Sequence, residues 1–228
     1  MKHLTLITII MATLLSCQNS STESKQDASV VHESMKLGVF EIIELQQPDQ
    51  TCRKSLMEAM HLRKSSREFE QRNLSLKHLS DILWVANGIN REDGKRTVPS
   101  ARALYPIKTY AVLENGIYFY NPEKHRIEPV VEGDYRNLTG LQEFVYNAPL
   151  NILFIADYNI YIEKQMPEDR WLYLASLDAA HSNQNIYLYC ASEGIRTVER
   201  AGAKEDELIK VLNLDNNHKF IVAQTVGY

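Results

Sequence analysis

The sequence predicts an α+β layer fold, in which helices cover a sheet built from antiparallel strands. Three observations predict it. Residues 76–87 (LKHLSDILWVAN) carry apolar side chains at 76, 79, 82, 83 and 86, the spacing of one helix face. Asn115-Gly116 joins two β-prone runs, which is the strongest short-range hairpin signal. Two further apolar runs, NILFIAD at 151–157 and KFIVAQTV at 219–226, read as buried strands on either side of a long helical stretch.

The elements follow in order along the chain. Ser55–Leu62 is a short helix, and Leu76–Asn87 a longer one with Ser75 as N-cap and Gly88 as terminator. Residues 90–105 form a loop, and Ile107–Leu113 and Ile117–Asn121 flank the Asn-Gly turn. Asn137–Tyr146 is expected to be helical, and the 151–157 strand follows Pro149. Asp169–Glu193 is a long helix ended by Gly194, Glu205–Leu212 a shorter one, and Lys219–Val226 the closing strand. There are no internal repeats.

Composition limits the function classes. With 44% apolar and 24% charged residues the chain is a globular protein rather than a disordered one, and its length suits one domain with a sizeable core. A formal net charge of −4 argues against a general nucleic-acid binder. The seven histidines are scattered, and no Cys/His spacing of the metal-site kind appears, so no metal is expected.

The N-terminus has the order of an export signal: Lys2, then the apolar run LTLITIIMATLL, then Leu14-Leu15-Ser16-Cys17. The run is too short to span a membrane. Its last four residues resemble a bacterial lipobox, which implies that residues 1–16 are removed and that Cys17 is lipidated. Two acyl chains suffice for stable membrane attachment. Residues 17–35 are polar and are expected to form a flexible tether, leaving 36–228 as the folded domain. Of the other cysteines, Cys52 and Cys190 could pair in an exported chain, but Cys190 lies in the apolar run IYLYCASEG, where a small buried hydrophobe is the expected role.

The stretch RKSSREF, residues 63–69, sets three cations and two hydroxyls where the first helix should end. Cations there complement the helix dipole, and a solvated charge run explains them. Arg63, Lys64, Ser65 and Arg67 equally offer the charge-assisted donors and hydroxyl that suit a phosphate monoester. On an extended segment Arg63, Ser65 and Arg67 would point to one side. The cluster by itself leaves both readings open.

Other stretches complete a pattern. RKSSREF resembles the Arg-Arg-Ser-x-Arg-x-Phe signature of the nitroreductase flavoprotein family. ILWVANGINR (82–91) resembles that family's second helix, and GKRTVPSARALYP (94–106) its flavin-contacting Pro-Ser-Ala loop, in the form of the subgroup related to azoline-peptide dehydrogenases. DAAHSNQNIYLYCASEGIRTV (178–198) resembles the long core helix with its Gln-Asn pair, and FIVAQTVGY (220–228) the last strand. The resemblance covers the chain from about residue 53 to its end.

It implies a three-layer fold with a central, mostly antiparallel sheet, assembled as an intertwined homodimer with isologous contacts. It implies FMN as cofactor, with Arg63, Lys64, Ser65 and Arg67 on the phosphate and ribityl chain. Pro99, Ser100, Ala101 and Arg102 would border the isoalloxazine, contributed by the partner subunit. Arg102 stands near the place of a family asparagine, where an arginine beside N1–O2 would stabilise the anionic reduced flavin. The turn GIRTVERAG (194–202) would pass flavin N5, with Ala201 and Gly202 offering backbone N–H groups. Many relatives add a C-terminal Lys or Arg at the phosphate, and Arg200 and Arg196 are the nearest substitutes. Gln184 and Asn185 are expected in a hydrogen-bonded network at the dimer core. Among the aromatics, Trp84, Tyr110 and Trp171 are expected to pack, and Tyr105 lies in the flavin loop.

The reaction implied is a two-electron transfer through flavin N5, between a donor and a small acceptor such as a nitroaromatic, quinone or enone, or from an azoline-like substrate. No protein nucleophile is implied. An exported lipoprotein, on a periplasmic or outer-membrane face, meets little NAD(P)H, which favours another donor or an oxidative direction. The alternative is a non-catalytic flavin- or ligand-binding lipoprotein on a decayed scaffold.

Overall fold

The computed structural model describes residues 32–49, 51 and 53–228. The expected signal peptide, Cys17, most of the tether and Cys52 lie outside these residues.

Helix formation follows local signals closely. α1 (Leu56–Leu62) opens on a reciprocal capping box, in which the Ser55 hydroxyl accepts from Glu58 N–H and the Glu58 carboxylate accepts from Ser55 N–H. α2 (Leu76–Asn87) begins where the Ser75 hydroxyl accepts from His78 N–H, and stops at Gly88 as expected. α4 (Trp171–Glu193) ends on Gly194 at φ 73°, a left-handed C-cap that glycine adopts without a steric cost. Asp169 and Arg170, expected inside this helix, belong instead to a separate 3₁₀ turn, Glu168–Arg170.

The strands β1 (Ile43–Glu44), β2 (Ile107–Leu113), β3 (Gly116–Asn121), β4 (Arg126–Glu132), β5 (Leu150–Asp157), β6 (Arg196–Arg200) and β7 (His218–Gly227) form one sheet. Their spatial order is β1-β4-β3-β2-β5-β7-β6, and every neighbouring pair is antiparallel. The hairpin closes with Leu113 opposite Gly116, a position where any side chain would collide with the Phe40 ring. β5 is an interior strand between β2 and β7 and is buried along almost its whole length. Its even-numbered side chains, with α2 and α4, make one core (Leu79, Ile82, Ile152, Phe154, Ala179, Ile186). Its odd-numbered side chains face the other, beneath α5 (Glu205–Val211), with Leu208 and Phe220. The short α3 (Asn159–Glu163) follows β5.

Two expectations are corrected, and one strand was not foreseen. The stretch 137–146 is not one helix but two 3₁₀ turns, Arg136–Leu138 and Glu143–Tyr146. Gly140 lies between them, and the Arg200 guanidinium fills the space that a side chain there would need. The segment 194–202, expected as a turn, is mostly β6, with Arg196 opposite Gly227 and Arg200 opposite Ala223. β4 was not expected, because Pro129 and a polar composition mask its alternation; it pairs with β3 across an irregularity at Ile117/Tyr118. Residues before the expected domain start also pack on it: Met35 N–H donates to the Leu74 carbonyl (2.9 Å), and the His32 ring meets His78 edge-on.

Among the described residues no helix is long and apolar enough to cross a membrane.

Candidate functional site

At Arg63 the first helix ends and the backbone turns extended, with φ −54° and ψ 121°. Three bonds then hold the 63–70 segment against the end of the sheet. Ser66 N–H donates to the Thr197 carbonyl (2.9 Å), Arg196 Nη1 donates to the Glu68 carbonyl (3.1 Å), and Glu70 N–H donates to the Tyr228 carbonyl (2.9 Å). The segment therefore lies along β6, whose outer edge would otherwise be unpaired.

This placement opens a cavity of about 850 Å³. Arg63, Lys64, Ser65 and Arg67 all line it, and so does Arg196 from β6, while Tyr187, Cys190 and Ala191 of α4 form another wall. None of Arg63, Lys64, Arg67 and Arg196 has a carboxylate within ion-pair distance among the described residues. Glu68 is the one carboxylate among the lining residues, so the cations outnumber it and repel one another, and an anion relieves that repulsion.

Tyr187 organises the wall. Its hydroxyl shares a hydrogen bond with Ser65 Oγ (2.9 Å) and accepts one from Glu199 N–H (2.9 Å), and its ring lies 5.3 Å from the Arg63 guanidinium. One side chain of α4 thus ties the cation segment to β6. Four residues earlier, on the same helix face, Asn183 is 1% exposed and neither polar atom of its side chain has a hydrogen-bond partner. Burial holds the Glu199 carboxyl above the usual carboxylate range.

Arg200 does not join the cation set. Its guanidinium is buried and is spent on the sheet: Nε donates to Thr225 Oγ1 (2.9 Å), Nη2 to Asn151 Oδ1 (3.0 Å), and Nη1 to the Thr139 carbonyl. All three acceptors are neutral, and burial pushes the guanidinium down to about 10. Of the two substitutes weighed for a terminal cation, only Arg196 reaches the cavity. It stands opposite Gly227, where the last strand runs out.

The second half of the expected site, Pro99–Arg102, is not on this cavity. Ser100 Oγ donates to Asp178 Oδ2 (2.6 Å), near the N-terminal part of α4, and accepts from Tyr105 N–H (2.9 Å). Asp178 and Tyr187 are nine positions apart on one helix, about 14 Å along its axis. Within the loop Arg102, Ala103 and Tyr105 take positive φ values of 57°, 54° and 50°. Left-handed backbone costs a residue with a side chain about 1–2 kcal/mol, and three such residues within four positions mark a conformation imposed by its surroundings. Arg102 is exposed, and its Nη1 donates to Met166 Sδ (3.1 Å). Pro99 is exposed and Ala101 half-buried.

Ala201 is exposed, and Gly202 faces Leu141, whose methyl carbon would lie 3.3 Å from an added Cβ. Gln184 is exposed, whereas Asn185 Nδ2 donates to the Val85 carbonyl (3.0 Å) and so links α4 to α2. Tyr110 and Trp171 pack in the two cores as expected, and Trp84 is half-buried, with Nε1 donating to the Ile89 carbonyl (3.1 Å). Tyr105 is stacked by the Arg96 guanidinium at 4.7 Å. Cys190 is buried and carries a free thiol. Among the described residues no cluster of His, Cys, Asp or Glu could hold a metal. Sequence reasoning missed Tyr187, Asn183 and Asp178, since all three sit inside what reads as an apolar core helix. A polar residue recurring on the buried face of such a helix was the signal available.

The cavity's chemistry fits a phosphate monoester on a polyol chain, as in FMN. Guanidinium and ammonium groups suit the phosphate, and the Ser65 and Tyr187 hydroxyls suit the polyol.

Comparison with known proteins gives concordant results. The model of the Nitroreductase family matches residues 61–228. The Methanocaldococcus jannaschii protein MJ1384, which bears a nitroreductase name, is 31% identical over 182 residues, covering 75% of this chain and 90% of that protein. A crystal structure of a Ralstonia eutropha protein, also titled a nitroreductase, superposes with a TM-score of 0.78 at 36% identity, over 87% of this chain and 98% of that one. The Escherichia coli microcin synthetase McbBCD complex superposes at 0.61 with 20% identity, over 97% of this chain and 84% of that one, a likeness of fold.

Proposed function

We propose that this chain, which belongs to the nitroreductase family, is an FMN-dependent oxidoreductase that passes two electrons between a donor and a small organic acceptor. One observation carries the reading: Arg63, Lys64, Arg67 and Arg196, none of them in an ion pair among the described residues, line one cavity with a single carboxylate, Glu68, beside the Ser65–Tyr187 hydroxyl pair. That array suits a terminal phosphate and gives no equivalent place for a neutral ligand.

Bound FMN supplies the redox chemistry, taking up and releasing a hydride equivalent. The chain's residues bind and orient it. Arg63, Lys64, Arg67 and Arg196 neutralise the phosphate, and Ser65 and Tyr187 fix the direction in which the polyol leaves it. The Pro99–Arg102 loop lies about 14 Å along α4 from Tyr187, so one chain presents the two halves of the expected site at separate places. A second copy would bring its loop to the first copy's cation cavity, which supports a homodimer with a shared site. The exposed apolar side chains of α1 and α4 (Leu56, Met57, Met60, Leu172, Tyr173, Leu177) offer surface for that contact.

The acceptor class is a nitroaromatic, quinone or enone; oxidation of an azoline-like substrate is the second direction, favoured by the PSARALYP form of the loop and by export to a compartment poor in NAD(P)H. Export itself rests on the signal and on Cys17, whose diacylation would anchor the protein. Full-length protein extracted from membranes should be yellow, release FMN rather than FAD, bleach on anaerobic reduction and recover with one of these acceptors. Absence of flavin after titration with FMN defeats the reading. Flavin that binds but is never reoxidised by any acceptor returns the chain to a flavin-binding role without turnover. A Cys17→Ser chain that keeps its lipid mass by mass spectrometry would overturn the anchor.

A further inference from the structure

The loop Pro99–Tyr105 is held in its shape by a relay that begins on α4. The Asp178 carboxylate is 6% exposed and accepts the Ser100 hydroxyl at 2.6 Å. The same hydroxyl accepts Tyr105 N–H at 2.9 Å. Between those two anchors Ala103 N–H donates back to the Ser100 carbonyl (3.0 Å) and Leu104 N–H to the Ala101 carbonyl (3.2 Å). Three residues of this short span take positive φ, which an unrestrained chain of L-residues would abandon. Ser100 has one proton to give, and it gives it to Asp178; both its donor and one acceptor position are used inside the protein.

We propose that Asp178 is a positioning residue: its ionised carboxylate, acting through Ser100, locks the Pro99–Tyr105 loop in the left-handed form that presents it to the flavin. The flavin's place rests on the function proposed above; the lock itself does not. A charged acceptor makes the bond to Ser100 short and strong, and the orientation it imposes on the hydroxyl leaves the lone pair free for Tyr105 N–H. When the carboxyl is protonated it competes as a donor to Ser100, and the lock loosens. The groups facing Asp178 are His181 on its own helix, Arg96 from the 88–105 loop and Tyr161 from α3. His181 and Arg96 favour the ionised carboxylate, whereas burial, the larger effect, raises it above the usual carboxylate range. The lock is thus present above that raised value and lost as pH falls through it.

The test is hydrogen exchange at the Tyr105 amide in the full-length protein, read beside FMN affinity. In Ser100→Ala the protection factor at Tyr105 should fall about tenfold or more, equivalent to about 1.4 kcal/mol, while Ser100→Thr, which keeps the hydroxyl, retains most of it. In Asp178→Asn protection should fall less and lose the pH dependence that the unaltered protein shows across the carboxyl's titration. The FMN dissociation constant should rise in the same order. Unchanged Tyr105 protection in both Ser100→Ala and Asp178→Asn overturns the lock. Lost protection with unchanged FMN affinity overturns its role in presenting the loop. If the unaltered protein takes up no FMN, the proposed function fails by itself, and exchange at Tyr105 still decides whether the lock exists.

Discussion

Replacing Tyr187 by Phe removes one oxygen atom and leaves the ring on which Arg63 rests. That oxygen serves two partners at once, Ser65 Oγ and Glu199 N–H, each at 2.9 Å. A net hydrogen bond contributes about 0.5–1.5 kcal/mol. Both losses occur near the molecular surface, where water replaces part of each, so the sum should sit toward the lower end, about 1–1.5 kcal/mol. For a domain of this size that corresponds to about 2–6 °C in the thermal midpoint. The segment itself should stay in place, because Ser66 N–H and Arg196 still bind it to Thr197 and Glu68. What changes is the freedom of Ser65. If roughly half of the lost energy was spent on orienting Ser65 toward the ligand, FMN affinity should weaken about threefold. The assay is quenching of FMN fluorescence on titration with protein, alongside a melting curve with and without FMN. A lowered midpoint with unaltered FMN affinity would show that the hydroxyl braces β6 against α4 and takes no part in the site. A loss of affinity above a hundredfold would also refute this account, since it would require a direct bond worth more than both observed ones.

Arg196→Ala should weaken FMN binding roughly tenfold or more, as loss of one charge-assisted contact, with a shallower dependence of affinity on salt; an unchanged affinity would return Arg196 to the solvated face. Arg200→Met should leave the cation cavity intact yet destabilise the fold by about 3 kcal/mol in chemical denaturation, because the Thr139 carbonyl, Asn151 and Thr225 lose a shared buried donor. FMN affinity that fell as far as in Arg196→Ala, in protein that remained folded, would contradict that separation of roles. His78 is buried beside His32, and that burial pushes its imidazole down to about 4. A depressed histidine is neutral in the fold and takes up its proton more readily when unfolded, so its contribution is complete above about pH 6.5 and is lost as pH falls toward 4, up to about 3 kcal/mol. Stability measured across that window should fall more steeply in the unaltered protein than in His78→Gln, and parallel slopes would remove His78 as the cause.

Local chemistry accounts for much of what could be read without coordinates. The α2 boundaries follow from Ser75, Gly88 and a clean helical period, the β2–β3 hairpin from Asn115-Gly116, and the end of α4 from Gly194, because each of these signals acts within a few residues. The RKSSREF stretch was legible as a candidate anion site for the same reason: the donors are consecutive, and an extended backbone suffices to gather them. β4 and β6 were not legible, since a strand's pairing partner is distant in sequence and β6 gains its edge only when residues 63–70 lie down beside it. Arg196 and Arg200 show the limit most plainly. Four residues apart and alike in charge, both were candidates for the phosphate, and Arg200 was the one placed in the expected site. Tertiary packing alone separates them: alternation puts both on the same face of β6, but Arg200 lies opposite Ala223, where Gly140 leaves room for it to reach three neutral acceptors, and Arg196 lies opposite Gly227 at the strand's end, where it lines the cavity. The residue types and their order thus specify which chemistry is available, through propensities and charges that act locally. Which of those groups share a space, and which are consumed in holding the sheet together, depends on contacts between residues far apart in the chain, and those exist only once the fold has formed.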